Sequence, residues 1–205
     1  MSGWLAESGV AAKWEACKAA STADAVDAPT YAEASVTLIT VFDVIGTAMS
    51  IPKNDMMGNA TAVQKFAAEN PGKTLQELCD AEIAEAGGDA EKAIKKEGCT
   101  VKLLWLSRAM KFIQVLLQTL DAERSATLSA CVTKGYEASL KQYHGMAVKL
   151  VFKGAVNACP YRDKFMKGLA ATEEEALAKI AELMPTVNEV LAINVKYLEG
   201  KGLKI

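Results

Sequence analysis

The feature that most constrains this chain is the spacing of its apolar residues, which repeats with helical period over long stretches and nowhere alternates as a strand would. The last stretch is the clearest. Leu177, Ile180, Met184, Val187, Leu191, Val195 and Leu198 follow one another at steps of three or four, one apolar stripe along about six helical turns. Thr172 followed by Glu175 has the capping-box pattern that opens such a helix, and Pro185 inside it is expected to bend or break it locally. With only 5 prolines and 14 glycines in 205 residues, few points interrupt the pattern. Helices are expected over 4–20, 30–49, 55–69, 73–86, 100–120 and 160–169, and one long or kinked helix over 125–157 with Gly145 and Gly154 as its weak points. Asn70-Pro71-Gly72 and Gly87-Gly88 supply breaks. No repeat, linker or low-complexity stretch divides the chain, so one all-α domain over 1–205 is the economical reading.

Two helices carry more detail. In 101–120, Ser107, Lys111, Gln114 and Gln118 align as a narrow polar stripe expected to face solvent. Trp105, Ala109, Phe112 and Leu116 lie nearly opposite, and a helix with so little polar surface belongs at the centre of a fold. In 140–151, Leu140, His144, Val148 and Val151 share one face if the segment is helical, so the only histidine sits on an apolar stripe.

Composition narrows the function. Lys+Arg 23 against Asp+Glu 25 gives a formal net charge of -2, the wrong sign for a general nucleic-acid binder. No uncharged apolar run reaches the roughly 18 residues that a membrane span requires, and Glu7, Lys13, Glu15 and Lys18 interrupt any apolar leader core. The five cysteines, Cys17, Cys79, Cys99, Cys131 and Cys159, are odd in number and widely spaced, which reads as reduced thiols in a cytoplasmic protein. Phosphate-loop, nucleophile-elbow and zinc-protease signatures are absent, and one histidine gives a metal site or a triad little to work with. A non-enzymatic protein without metal or cofactor is expected.

One segment stands out. Asp55 and Asn59 lie at i and i+4, with Ala62 at i+7, on one face of a helix. On spacing alone, Asp55 or Asn54 reads as an N-cap after Pro52. Trp105 likewise reads as a core tryptophan, and His144 as a core histidine bonded to a backbone carbonyl.

The joint pattern says more. Phe42-Asp43-Val-Ile-Gly46, Lys53-Asn-Asp55-Met-Met-Gly58-Asn59-Ala-Thr61, Leu103-Leu-Trp105-Leu-Ser-Arg108-Ala-Met-Lys-Phe112 and Gly135-Tyr136-Glu-Ala-Ser-Leu-Lys-Gln-Tyr143-His144-Gly145, followed by Pro160-Tyr161 and Phe165, are collinear from about residue 30 to the C-terminus. Together they resemble the glycolipid transfer protein family. The resemblance implies a two-layer helical sandwich of about eight helices that carries one sphingolipid between membranes, through transient contact with membrane surfaces and as a monomer. It implies that Asp55 accepts a hydrogen bond from the ceramide amide N–H and that His144 donates to its carbonyl. Asn59 would bond sugar hydroxyls, and Trp105 would lie flat beneath the sugar ring. The lipid chains are assigned a pocket near Phe42, Ile45, Phe112, Leu116, Leu140, Val148, Phe152 and Phe165.

Three positions depart from the family pattern. Ala62 stands where a lysine is usual, Leu203 replaces an aromatic residue near the C-terminus, and Met146 replaces a tryptophan that touches the membrane. The first expectation is therefore a glycosylated ceramide. The alternatives are a ceramide with another small or phosphorylated headgroup, or a scaffold of this fold that carries nothing.

Overall fold

The computed structural model describes residues 3–205, and among them there is no strand, only an isolated bridge between Asp27 and Thr74. The α-helices are α1 Trp4–Glu7, α2 Val10–Ala20, α3 Ala28–Ile39, α4 Val41–Ile45, α5 Ser50–Glu69, α6 Leu75–Glu85, α7 Ala90–Ala93, α8 Cys99–Ala122, α9 Leu128–Ala138, α10 Met146–Asn157, α11 Arg162–Leu169 and α12 Glu173–Gly200. Short 3-10 turns at Thr47–Met49 and Lys141–Tyr143 complete the path. The all-helical class is as expected, with more helices than about eight. The expected 4–20 helix divides at Gly9, whose φ of 66° is left-handed. The expected 30–49 helix begins at Ala28 and divides into α3, α4 and a 3-10 turn, with Gly46 at φ 96° between the last two.

Helix α8 organises the rest, packing against α5, α6, α9 and α12. Leu103, Leu106, Met110, Phe112, Ile113, Leu116, Leu117 and Leu120 are fully buried along it. Its first turn is capped from another helix: one carboxylate oxygen of Glu82 accepts from the Cys99 N–H at 2.5 Å, and the other accepts from the Thr100 N–H at 2.8 Å and the Thr100 hydroxyl at 2.6 Å. That acceptor set satisfies orphan donors at the positive end of the helix. Helix α9 approaches α8 closely at Gly135, where a Cβ would fall 2.7 Å from the Phe112 ring.

Three local expectations change. Ser107 is buried, not solvent-facing; it lies beside Tyr31, Ser35 and Asn194 in a polar pocket of the core. In α12 the polar Asn194 is fully buried and accepts from Gln76 Nε2 at 2.9 Å, while its neighbour Val195 is only half-buried. Helix α12 also runs unbroken through Pro185, because the long apolar face on α8 and α2 holds the turns on either side together. The Thr172 side chain caps α12 by accepting from the Glu175 N–H, and the Glu175 carboxylate reaches the Ala171 N–H.

The largest difference lies at 125–157. Helix α9 stops at Ala138, and residues 139–145 are not α-helical. The buried Ser139 hydroxyl donates to the Gly135 carbonyl at 2.7 Å, so a side chain takes over an end carbonyl and the backbone turns away. Helix α10 then restarts after Gly145. Among the described residues, no helix is long and apolar enough to cross a membrane.

Candidate functional site

A cavity of about 580 Å³ opens between α5, α8, the 139–145 connection and α10, within the range of small-molecule sites. Asp55, Asn59, Trp105 and His144, singled out from sequence, all line it. Each arrives by a different local route.

Helix α5 starts at Ser50, with Pro52 in its first turn, where a missing N–H costs no hydrogen bond. Asp55 therefore lies in the second turn and caps nothing. The N-cap position is Met49, without a side-chain bond. The Asp55 side chain is exposed, and among the described residues no hydrogen bond or ion pair engages its carboxylate. Asn59 sits one turn on; its side-chain N–H donates to the Asp55 backbone carbonyl at 3.1 Å, which leaves its amide oxygen as an acceptor.

Trp105 is half-buried on α8. Its indole stacks on the His144 imidazole, centroids 5.8 Å apart and planes 21° apart, and meets the Tyr143 ring edge-on at 6.4 Å. The Arg108 guanidinium lies 4.9 Å from the Trp105 ring centre and 3.5 Å from that of Tyr143. Arg108 also donates to the Lys204 carbonyl from two nitrogens, at 3.2 and 2.7 Å. The C-terminal segment thus fastens a cation behind the aromatic wall, with Leu203 buried next to it in sequence.

His144 comes from extended backbone, φ -93° and ψ 135°, and not from a helix face. Leu140, Val148 and Val151 still line the same cavity with it, because the break turns the chain around the cavity mouth. The Tyr136 hydroxyl lies 3.1 Å from His144 Nδ1. Burial pushes the Tyr136 pKa up, so the phenol keeps its proton and can donate to Nδ1, leaving Nε2–H as the ring's donor. Burial lowers the His144 pKa, Asp55 raises it, and Lys149 and Arg108 lower it further. The net effect favours the neutral ring. The site thus presents an acceptor, Asp55, and a single-proton donor, His144, beside a flat aromatic surface.

Of the residues assigned to the lipid chains, Leu140, Val148 and Phe152 line the cavity, joined by Ile51, Met56 and Val151. Phe42, Ile45, Phe112, Leu116 and Phe165 do not. They are buried away from it, and Phe112 stacks on Phe42 at 5.5 Å and meets Phe152 edge-on at 5.5 Å. Phe152 in turn stacks on Tyr136 at 3.7 Å. A continuous aromatic layer therefore backs the cavity floor.

Sequence reasoning missed Lys102 and Tyr143, which also line the cavity. The signal for Lys102 was available, since it lies three residues before Trp105 on one helix face. Ala62, expected on the headgroup face, is half-buried and does not line the cavity. Around the mouth, Ile51, Met146, Val148, Leu150 and Val151 form an exposed apolar rim, with Met146 83% and Leu150 71% exposed. Among the described residues, no cluster of potential ligands could hold a metal ion.

Comparison with known proteins places this geometry. The family model described as "Glycolipid transfer protein (GLTP)" matches residues 26–171. The chain is 37% identical over 171 residues to a glycolipid transfer protein of Danio rerio, covering 78% of this chain and 80% of the relative. Among crystal structures, the fungal glycolipid transfer protein HET-C2 superposes with a TM-score of 0.76 at 28% identity, over 88% of this chain and 89% of that one. A variant of the Arabidopsis protein accelerated-cell-death 11, in complex with ceramide-1-phosphate, superposes with a TM-score of 0.84 at 18% identity over 98% of both chains, a likeness of fold.

Proposed function

The chain belongs to the glycolipid transfer protein family, and from that premise we propose that it carries a sphingolipid between membranes without consuming it, most favourably a ceramide with a sugar headgroup. The observation that carries the reading is the convergence of Asp55, Asn59, Trp105 and His144 on one cavity with an apolar floor and rim. An amide presents one donor and one acceptor, so it needs an acceptor and a donor opposite it. The Asp55 carboxylate and the His144 Nε2–H are such a pair. A sugar ring has C–H groups on its face and hydroxyls at its edge, which suit the Trp105 indole and the Asn59 amide.

The lipid chains supply bulk affinity, at about 0.8 kcal/mol for each methylene buried. They enter beside Leu140, Val148 and Phe152, and further room comes from separating Phe152 from the Phe112–Phe42 layer behind it. The Ile51, Met146 and Leu150 rim rests transiently on the membrane surface while the lipid passes. A neutral headgroup is favoured over a phosphate because Lys102 is the one cation among the described residues that lines the cavity, and Arg108 is committed to the Lys204 carbonyl.

Mass spectrometry of lipids that co-purify with the chain tests the reading. A hexosylceramide in about one-to-one ratio is expected. Glycerophospholipids alone, or no lipid after exposure to sphingolipid-containing membranes, would overturn it.

A further inference from the structure

We propose that Lys102 is the charged donor that selects the sugar headgroup, the role that Ala62 cannot fill; the proposal rests on the carrier reading above. Lys102 lies one turn before Trp105 on α8 and lines the same cavity as Asp55, Asn59 and His144. Side chains on a helix lean toward its N-terminus, so Trp105 covers the turn that Lys102 occupies. Lys102 and Trp105 therefore line adjoining turns of the mouth that a headgroup would occupy.

The partner of Lys102 makes this position usable. Lys102 Nζ lies 2.6 Å from Glu97 Oε2, with the lysine side chain 27% and the glutamate 84% exposed. The lysine side chain thus belongs to the cavity wall while the glutamate stands in solvent. A pair with so exposed a member holds its partners weakly, so re-aiming the ammonium at a ligand costs little. An ammonium has three N–H donors, and one suffices for Glu97.

The same pair argues for the class of headgroup. Its charges cancel, and the neighbouring Asp55 carboxylate leaves the cavity lining without net positive charge. A phosphate there meets the Asp55 carboxylate with a single ammonium to offset it. A neutral polyol meets an ammonium that donates and a carboxylate that accepts.

The test is equilibrium binding of the full chain to phosphatidylcholine vesicles carrying hexosylceramide, plain ceramide or ceramide-1-phosphate. Lys102→Met keeps most of the apolar stem and removes the donors. It is expected to weaken hexosylceramide binding by about tenfold, equivalent to about 1.4 kcal/mol, and to leave ceramide unchanged. Glu97→Gln breaks the ion pair but keeps the ammonium, and is expected to retain hexosylceramide binding; loss in both variants would mean that the pair is only structural. Unchanged hexosylceramide binding in Lys102→Met, equal loss for ceramide, or loss confined to ceramide-1-phosphate would each overturn the assignment. Wild-type protein that binds none of the three would overturn the carrier reading itself, whereas binding that Lys102→Met leaves intact removes only the role of Lys102.

Discussion

Asp55→Val separates a binding role from a folding role at the centre of the site. Asp55 is the sixth residue of α5, and its carboxylate makes no hydrogen bond to the described residues. An N-cap truncated in this way would lose about 1 kcal/mol of stability, which is about 2–4 °C of melting temperature in a protein of this size. Past the first turn, the helix dipole adds little to a carboxylate. The melting temperature of the lipid-free variant should therefore stay within about 1 °C of wild type. Binding is another matter. The ceramide amide N–H would face an isopropyl group in a partly desolvated mouth, and an unpaired buried donor costs about 1–3 kcal/mol. That corresponds to roughly 5-fold to 150-fold weaker binding. Asp55→Asn keeps an acceptor without the charge and should fall between the two. The substitution also reaches His144, because Asp55 raises the histidine pKa; in Asp55→Val that pKa should drop further, as NMR titration of the lipid-free protein can show. Calorimetry and vesicle transfer on the same samples decide the matter. Intact transfer with a melting temperature several degrees lower would refute the reasoning and return Asp55 to a structural role.

Other consequences are as direct. Gly135→Ala forces a methyl group against the Phe112 ring and the Phe112 carbonyl, 2.7 and 2.8 Å away; it should destabilise the fold by about 1–3 kcal/mol, and chemical denaturation with an unchanged midpoint would contradict it. The folded-state His144 pKa is depressed by burial from 6.5, so the unfolded chain binds this proton first, and stability is lost as pH falls from about 6.5 through the folded pKa. His144→Asn should lose less stability than wild type between pH 7.5 and 5.5, and parallel losses would show that His144 is not depressed. Met146→Ser with Leu150→Ser removes two exposed apolar side chains outside the cavity lining; transfer should slow about tenfold through weaker membrane contact, while affinity for soluble short-chain ceramide holds. The wild-type rim is apolar and the net charge is only -2, so moderate salt should change transfer from neutral vesicles by less than about twofold.

The elements most legible in the sequence were those whose apolar faces meet the core directly. Helix α8 extends only a residue or two beyond the expected 100–120, and six of the seven α12 stripe residues are buried. Legibility failed where side chains, not propensity, decide the backbone. The α9 end rests on the Ser139 hydroxyl reaching Gly135, which no proline or glycine announces. Helix α5 starts five residues before the expected 55, because a first helical turn accommodates Pro52. Polar residues misled in the same way: Ser107 and Asn194 look like surface positions, yet they face Tyr31 and Gln76 inside the core. For the site, Asp55 and Asn59 were visible as an i, i+4 pair. His144 reached the cavity by a route the helical pattern did not contain, and Lys102 carried its signal only in its spacing from Trp105.

A protein that carries a sphingolipid without altering it must move that lipid intact between membranes. Purified protein is added to donor vesicles containing labelled hexosylceramide and labelled phosphatidylcholine, with unlabelled acceptor vesicles in excess. Accelerated movement of the hexosylceramide is expected, with phosphatidylcholine at the spontaneous rate and hexosylceramide recovered chemically intact from the acceptor. Equal acceleration of both lipids, or a hexosylceramide that is consumed, would contradict it.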